Sequence, residues 1–348
     1  MRNLRFRAFA AAAAVVVALT ASACGGGASG GSGGSLVFTG AGGAYQAAQT
    51  RAFFEPFSAS TGIKVKQDSP ISYPKLKAMV DSKNVSWDIM EGYAYFAHAN
   101  CGTYVEKLDR SKLDLTGVET ELVSDCAVPI MKSAFTLVYN KKSYPTAGPQ
   151  SWADFFDTKK FPGKRGIMNF ANQGPLEIAL LGDGVQPKDI YPIDYDRAFR
   201  KLDSIRESLV FLNTGAEQEQ AMASGRVDMM LSWPGRAYEV ATKGVDLVAV
   251  WNQPVFYYDV VYIVKGAKNQ DAAYKFLNFM LKPEQQAKLT ENIAYAPINT
   301  QAQPKIDELR AKFLPSGQDN GTGFWNDQEW WAKNLDEATA KWTQWAAR

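Results

Sequence analysis

The sequence is poor in the residues that most metal and covalent chemistry requires. It holds one histidine, His98, and three cysteines, Cys24, Cys101 and Cys126, among 348 residues. One histidine without any Cys-x-x-Cys pair argues against a four-ligand structural zinc site. A Ser-His-Asp or Cys-His centre would have to use His98, which lies between Ala97 and Ala99 on a predicted helix. No set of carboxylates has the spacing of a calcium-binding loop. Net charge is scarce as well. Lys and Arg number 38 against 36 Asp and Glu, and Arg2, Arg5 and Arg7 crowd the first seven residues. Without residues 1–23 the balance is 35 cations against 36 acids. Such a chain carries no electrostatic footprint for nucleic acid. The apolar run Ala8–Ala18 has eleven residues, too few to cross a hydrocarbon layer of about 30 Å as a helix. No repeat of fixed period is present, which excludes solenoids and propellers.

What remains is ordinary globular material, 46% hydrophobic and 12% aromatic, long enough for about two domains with a large core. Basic residues, then the short apolar run, then Ala21-Ser22-Ala23 before Cys24 resemble a bacterial lipoprotein signal (residues 1–23) with Cys24 lipidated. Ala21 departs from the branched aliphatic such signals prefer, and a plain secretory signal is the alternative. Residues 25–35, GGGASGGSGGS, read as a flexible tether with an r.m.s. span of about 18 Å. Cys101 and Cys126 are then left as a pair. An oxidising compartment favours a disulfide between them; two buried thiols are the alternative.

Along the chain, strand and helix patterns alternate. Ser35–Thr39 reads as a strand, Ala44–Phe57 as a helix ended by Gly62, and Ile63–Lys66 as a strand, together a βαβ unit. The pattern continues with a helix over Pro74–Lys83 and strands over Trp87–Met90 and Ala134–Tyr139. Helices are predicted over Ser151–Asp157, Tyr195–Ser208, Glu217–Ser224 and Gln270–Leu281, with another from Pro283, and strands over Val227–Ser232 and Val255–Val264. The class is α/β, with mixed, mostly parallel sheets. Gln328–Ala346 is an amphipathic helix with Trp331, Leu335, Ala338, Trp342 and Trp345 on one face, suited to packing on the body or to a partner.

Aromatic residues carry the functional signal. Tyr257 and Asp259 lie within an apolar strand, where a carboxylate is costly unless paired. Trp233 and Arg236 follow one strand end, and Tyr93 and Tyr95 another. Ligands of open α/β sheets bind beyond the carboxyl ends of strands. Aromatic faces with one carboxylate suit an ammonium group. The Gly40-Ala41-Gly42-Gly43 turn sits between a strand and a helix, a context for anion capture. It lacks the third glycine and the lysine of nucleotide loops, and a plain tight turn is the other reading.

Five stretches in order then carry a resemblance: residues 42–65, SWADFFDTKKFPGKRGI (151–167), SGRVDMMLSWPGRAYEVATKG (224–244), VKGAKNQDAAYKFLNFMLKPEQQA (264–287) and YAPIN (295–299). They resemble the substrate-binding lipoproteins of ABC importers, in the spermidine/putrescine-binding group. The resemblance implies two lobes of the type II periplasmic-binding-protein kind, joined by a two-strand hinge and closing on a ligand. Lobe one would span 36–139 and 258–348, the latter with the C-terminal helices, and lobe two 140–257. The implied partners are a small solute and a membrane permease, with no cofactor and no catalysis, for a lipid-anchored extracytoplasmic monomer. Tyr257 and Asp259 match the family's aromatic-x-Asp element, and Trp233 its W-x-G tryptophan. Tyr93 or Tyr95 matches its lobe-one tyrosine, and Tyr45 and Glu217 complete the expected set. Two departures bear on the ligand. Phe170–Gly174 holds no acid where polyamine binders carry an acidic pair, and Arg236 can grip a carboxylate. Both departures favour a zwitterion such as an amino acid or aminobutyrate, which ranks second; on the resemblance, a polyamine still ranks first. A secreted carboxylate-dependent hydrolase, or a scaffold acting through the Trp-rich helix, are the readings of another class.

Overall fold

The computed structural model describes residues 34–348; the signal segment, Cys24 and the tether up to residue 33 lie outside the described residues. In chain order, the first half holds β1 (Ser35–Thr39), α1 (Gly43–Gln49, continued by a wider π turn), α2 (Glu55–Thr61), β2 (Lys64–Asp68), α3 (Tyr73–Asp81), β3 (Ile89–Tyr93), α4 (Ala94–Ala99) and β4 (Val128–Asn140). Next come α5 (Trp152–Phe156), β5 (Arg165–Met168), α6 (Pro175–Gly182), α7 (Tyr195–Asp203), β6 (Leu209–Leu212), α8 (Gly215–Ala223), β7 (Met229–Ser232) and α9 (Pro234–Ala241). The chain finishes with β8 (Leu247–Ile263), α10 (Gln270–Met280), α11 (Pro283–Asn292), α12 (Glu308–Phe313), β9 (Phe324–Trp325) and α13 (Gln328–Ala346).

Local chemistry explains many of these ends. Ser72, Ser151, Asp194, Thr214 and Asp327 each accept the N–H three residues on and so start a helix. Gly62 ends α2 in the left-handed region, φ 73°, which a side chain would resist.

The strands run β2-β1-β3-β8-β4-β7-β5-β6, with β9 beside β8. The outer pairings, β1 with β2 and β3, and β5 with β6 and β7, are parallel. The central ones, through β4 and β8, are antiparallel. The two expected sheets are thus halves of one hydrogen-bonded path, because β4 and β8 run through both. Seventeen residues of β8, at about 3.3 Å each, reach some 55 Å.

The join has a visible irregularity. Ser133–Phe135 stand opposite Val255–Tyr257, and Leu137–Asn140 opposite Leu247–Val250. Trp251–Pro254 therefore bulge out against Thr136, which pairs with Ser232 of β7. Pro254 has no N–H to give a ladder, and Gln253 adopts φ 55°. Pattern alone begins this strand at Val255; the bulge is what lets it start eight residues earlier. This irregularity lies a few residues before the Tyr139–Asn140 exit expected from sequence.

The C-terminal helix packs on the body. Trp331, Trp342 and Trp345 are buried. Their indole N–H groups donate to Glu177 (3.1 Å), Asn169 (3.1 Å) and Asp203 (2.8 Å), all in the second half. Gln328, in its first turn, accepts the Tyr95 N–H at 3.0 Å. The helix assigned to lobe one by sequence therefore straddles both halves. Cys101 and Cys126 are disulfide-bonded with Cα atoms 5.6 Å apart, tying the end of α4 to the segment entering β4. No described helix is long and apolar enough to cross a membrane.

Candidate functional site

Side chains alternate across a strand, so Glu91 and Tyr93 share one face of β3. The antiparallel register sets Asp259 of β8 opposite Tyr93 and Val261 opposite Glu91. Tyr257 lies two residues along on the same face, backed by Phe135 of β4 at 4.6 Å between ring centres. Tyr93 stacks on Tyr95 at 5.3 Å and approaches Tyr257 at 6.2 Å. From α1, the buried Tyr45 meets Tyr295 edge-on at 5.0 Å.

The electrostatics are unusual for a core. Glu91 is fully buried, and burial pushes its carboxyl up to about 7, against the Gln49 amide that donates to it at 3.1 Å. Burial, then the charge of Glu91, holds the Asp259 carboxyl well above the ordinary range. Burial also raises the phenols of Tyr45, Tyr93 and Tyr257, with Asp259 adding to each. Asp259 and Tyr93 keep partial accessibility although Glu91, Gly92 and Val260 beside them are buried.

The second half closes over it. Trp233 caps α9, and Arg236 sits in the first turn, 2% exposed. The Arg236 Nη1 pairs with Glu219 of α8 at 2.9 Å, and its Nη2 donates across the cleft to the Gly42 carbonyl at 3.3 Å. Glycine is needed around it. A Cβ at Gly215 would stand 2.6 Å from the Arg236 Nε, and one at Gly43 3.0 Å from Nη1. Gln173 donates to the Tyr93 hydroxyl at 2.5 Å, and Asn172 donates to the Tyr95 hydroxyl. These bonds join the lobes in a shut arrangement.

Six atoms of this cluster are buried without a hydrogen-bond partner: Glu91 Oε1, Asp259 Oδ1, Tyr45 OH, Gln173 Oε1, Trp233 Nε1 and Arg236 Nε. Native interiors leave few such atoms, and a bound solute is a usual reason for a convergent set. The acid oxygens and the Tyr45 phenol come from β3, β8 and α1, and the two nitrogen donors from the start of α9, with the Gln173 carbonyl an acceptor from the second half.

Sequence reading and structure meet unevenly here. Asp259, Tyr257, Tyr93, Tyr45, Trp233 and Arg236 come together, with Tyr95 behind Tyr93. Glu217 does not join them. Its N–H goes to Thr214 and its carboxylate accepts the Asn213 N–H at 2.9 Å, so it caps α8; the neighbour Glu219 is the one beside Arg236. At the glycine turn, Gly40 N–H goes to the Asp68 carbonyl and Gly42 N–H to the Gln46 side chain, while the Gly42 carbonyl accepts from Arg236. Glu91, Gln173, Glu219 and Tyr295 escaped the sequence reading. Glu91 carried the same signal as Asp259, an acid alternating with apolar neighbours in a strand. Glu177 turns away: it accepts from Tyr191 (2.7 Å), Trp331 and Asn326, and burial pushes it up to about 7. His98 is exposed, and among the described residues no cluster of His, Cys, Asp or Glu stands ready for a metal ion.

Comparison with known proteins gives one answer. The profile of bacterial extracellular solute-binding proteins matches residues 52–315. A gamma-aminobutyric acid-binding protein of Pseudomonas aeruginosa is 34% identical over 325 residues, covering 90% of this chain and 91% of its own. A spermidine/putrescine-binding periplasmic protein of Salmonella typhimurium is 24% identical over 292 residues, covering 78% and 82%. A solved GABA receptor structure superposes with TM-score 0.82 at 38% identity, covering 90% of this chain and 98% of that one. With its two lobes, long paired strands and polar cleft, the chain belongs to the bacterial extracellular solute-binding protein family, the solute-capturing components of ABC importers.

Proposed function

We propose that the solute is a small ω-amino acid of the aminobutyrate kind. The carrying observation is the polarity of the cleft, with Asp259 and Glu91 among tyrosines on one side and Arg236 beside Trp233 on the other. An ammonium group meets the carboxylates and tyrosine faces, while a carboxylate meets the guanidinium and the indole N–H. The gamma-aminobutyric acid-binding relative supports this reading. A diamine is the second reading, favoured by the two acids and by the spermidine/putrescine-binding relative. The protein acts by capture and release rather than turnover. Solute binding favours the shut lobes by its differential affinity for the two arrangements, with β4 and β8 as the hinge. Lobe one comprises 36–139 and 258–348 and lobe two 140–257, with α13 bridging them. Cys24 carries a lipid that holds the monomer at the outer face of the membrane, within reach of its permease.

Calorimetric titration with 4-aminobutyrate, putrescine and succinate tests the ligand class. Tight binding of 4-aminobutyrate with weak putrescine and none of succinate is expected; putrescine binding tenfold tighter than 4-aminobutyrate overturns the first reading in favour of the second. Intact mass of the membrane-extracted protein tests the anchor, through the acyl mass on a chain beginning at Cys24.

A further inference from the structure

Two acids in one buried site need a charge arrangement that a single aspartate does not. Glu91 and Asp259 sit on neighbouring strands, on the same face, as a diagonal pair two residues apart in register. Each has one buried oxygen without a partner. The Tyr45 hydroxyl, on a side chain 2% exposed, faces Glu91 and lies close enough to feel both charges. Two carboxylates this close in a low-dielectric interior do not both stay ionised without a counter-cation.

The surroundings supply little compensation. Tyr45 comes from α1, Tyr73 from α3, and Tyr257 and Tyr262 from β8, and all are raised phenols, hence neutral. Tyr93 of β3 and Tyr295 are neutral for the same reason. Arg236, from α9, is the cation whose charge reaches Glu91, and it is already tied to Glu219. The Gln49 amide donates one bond to Glu91, and the Tyr45 hydroxyl and the Ala41 N–H favour its ionised form as well, yet burial outweighs them.

We propose that Glu91 and Asp259 form a single ammonium subsite that holds one shared proton when no solute is bound, and that an incoming ammonium group displaces this proton to solvent. The inference rests on the reading that the solute carries an ammonium group. The carboxyl O–H is exchanged for N–H···O bonds from the solute, and the proton leaves to bulk water. Capture is then linked to pH: affinity rises with pH while the proton is present, by up to tenfold per unit, and levels off once the pair is ionised. The raised titration of both acids agrees with this.

Calorimetric titration of the wild-type protein with 4-aminobutyrate and putrescine, in buffers of different ionisation enthalpy between pH 5.5 and 8, reads the proton directly. Release of between half and one proton per bound amine near pH 6.5, with affinity rising fivefold or more from pH 5.5 to 7, is expected. Glu91→Gln should move the midpoint of that rise at least one unit lower and cut the release at pH 6.5. Amine binding with no buffer dependence and a flat profile overturns the inference while leaving the ligand class intact. No binding of either amine at any pH overturns both. The wild-type measurement stands alone if the variant does not fold.

Discussion

Arg236 crosses from α9 of the second lobe to the Gly42 carbonyl of the first, at 3.3 Å, while its other terminal nitrogen holds Glu219 at 2.9 Å. It therefore serves both to hold the lobes together and to offer a cation to the cleft. Arg236→Met should weaken 4-aminobutyrate binding about tenfold to a hundredfold, the loss of a charge-assisted hydrogen bond to a carboxylate. Putrescine binding should stay within threefold or tighten, since Glu219 is freed. Paired titrations of the two amines check this, and equal losses for both would show that Arg236 acts through closure alone.

Asp259→Asn keeps shape and removes charge. Taking one partner from a buried charge pair typically costs 2 kcal/mol or more, so the amine should bind at least about thirtyfold more weakly. Fluorescence titration measures it, using the tryptophan beside the site, Trp233. Unchanged affinity would take Asp259 out of the ligand contact.

The amides of Asn172 and Gln173 bond the stacked Tyr95 and Tyr93 across the cleft. Gln173→Leu removes one of these ties without emptying the space. A fall in affinity of about threefold to tenfold is expected, from a net bond of about 1 kcal/mol, together with a larger radius of gyration of the solute-bound protein in small-angle scattering.

The disulfide closes a loop of sequence separation 25. Chain entropy assigns such a loop about 3 kcal/mol. The double variant Cys101→Ser, Cys126→Ser should melt roughly 5–10 °C lower by differential scanning calorimetry. Ligand affinity should fall less than stability, because the bond anchors the far end of α4 rather than Tyr93 itself.

Glu177 gives a pH signature separate from the ligand site. Its carboxyl titrates near 7 in the fold against an ordinary 4.5, so the folded protein holds the proton more tightly than the unfolded chain. The stabilisation is complete below about 4.5 and is lost as pH climbs through about 7. Glu177→Gln keeps the acceptor for Tyr191 and Trp331 and has no proton to lose. Urea unfolding should show its advantage over wild type growing from pH 5 to pH 8; an advantage that does not change with pH would refute the assignment.

Where the sequence reading succeeded, the signal was local. The βαβ start, the α10 face of Ala273, Phe276, Leu277 and Met280, and the placing of Asp259 in an apolar strand all follow from periodicity and the cost of a lone buried acid. It failed where pairing decided. Glu91 had the same local signature as Asp259, but only the β3–β8 register makes them neighbours. Glu217 and Glu219 are two residues apart on one helix, and no pattern tells the capping acid from the one that holds Arg236. Pro254 read as a strand boundary because a bulge opposite Thr136 cannot be foreseen without the partner strand.

By itself, then, the order of residues determined the α/β class, much of the element order and the presence of an acid among aromatics in an apolar strand, because burial preferences and helix or strand periods act over a few neighbours. The tertiary structure alone decided which acids share a charge, which glycines make room for Arg236, and where α13 lies. Those are contacts between groups far apart in the chain, such as Arg236 with Gly42, 194 positions away, and Gln328 with Tyr95, 233 positions away, and distance in space is a quantity that spacing along the chain does not contain.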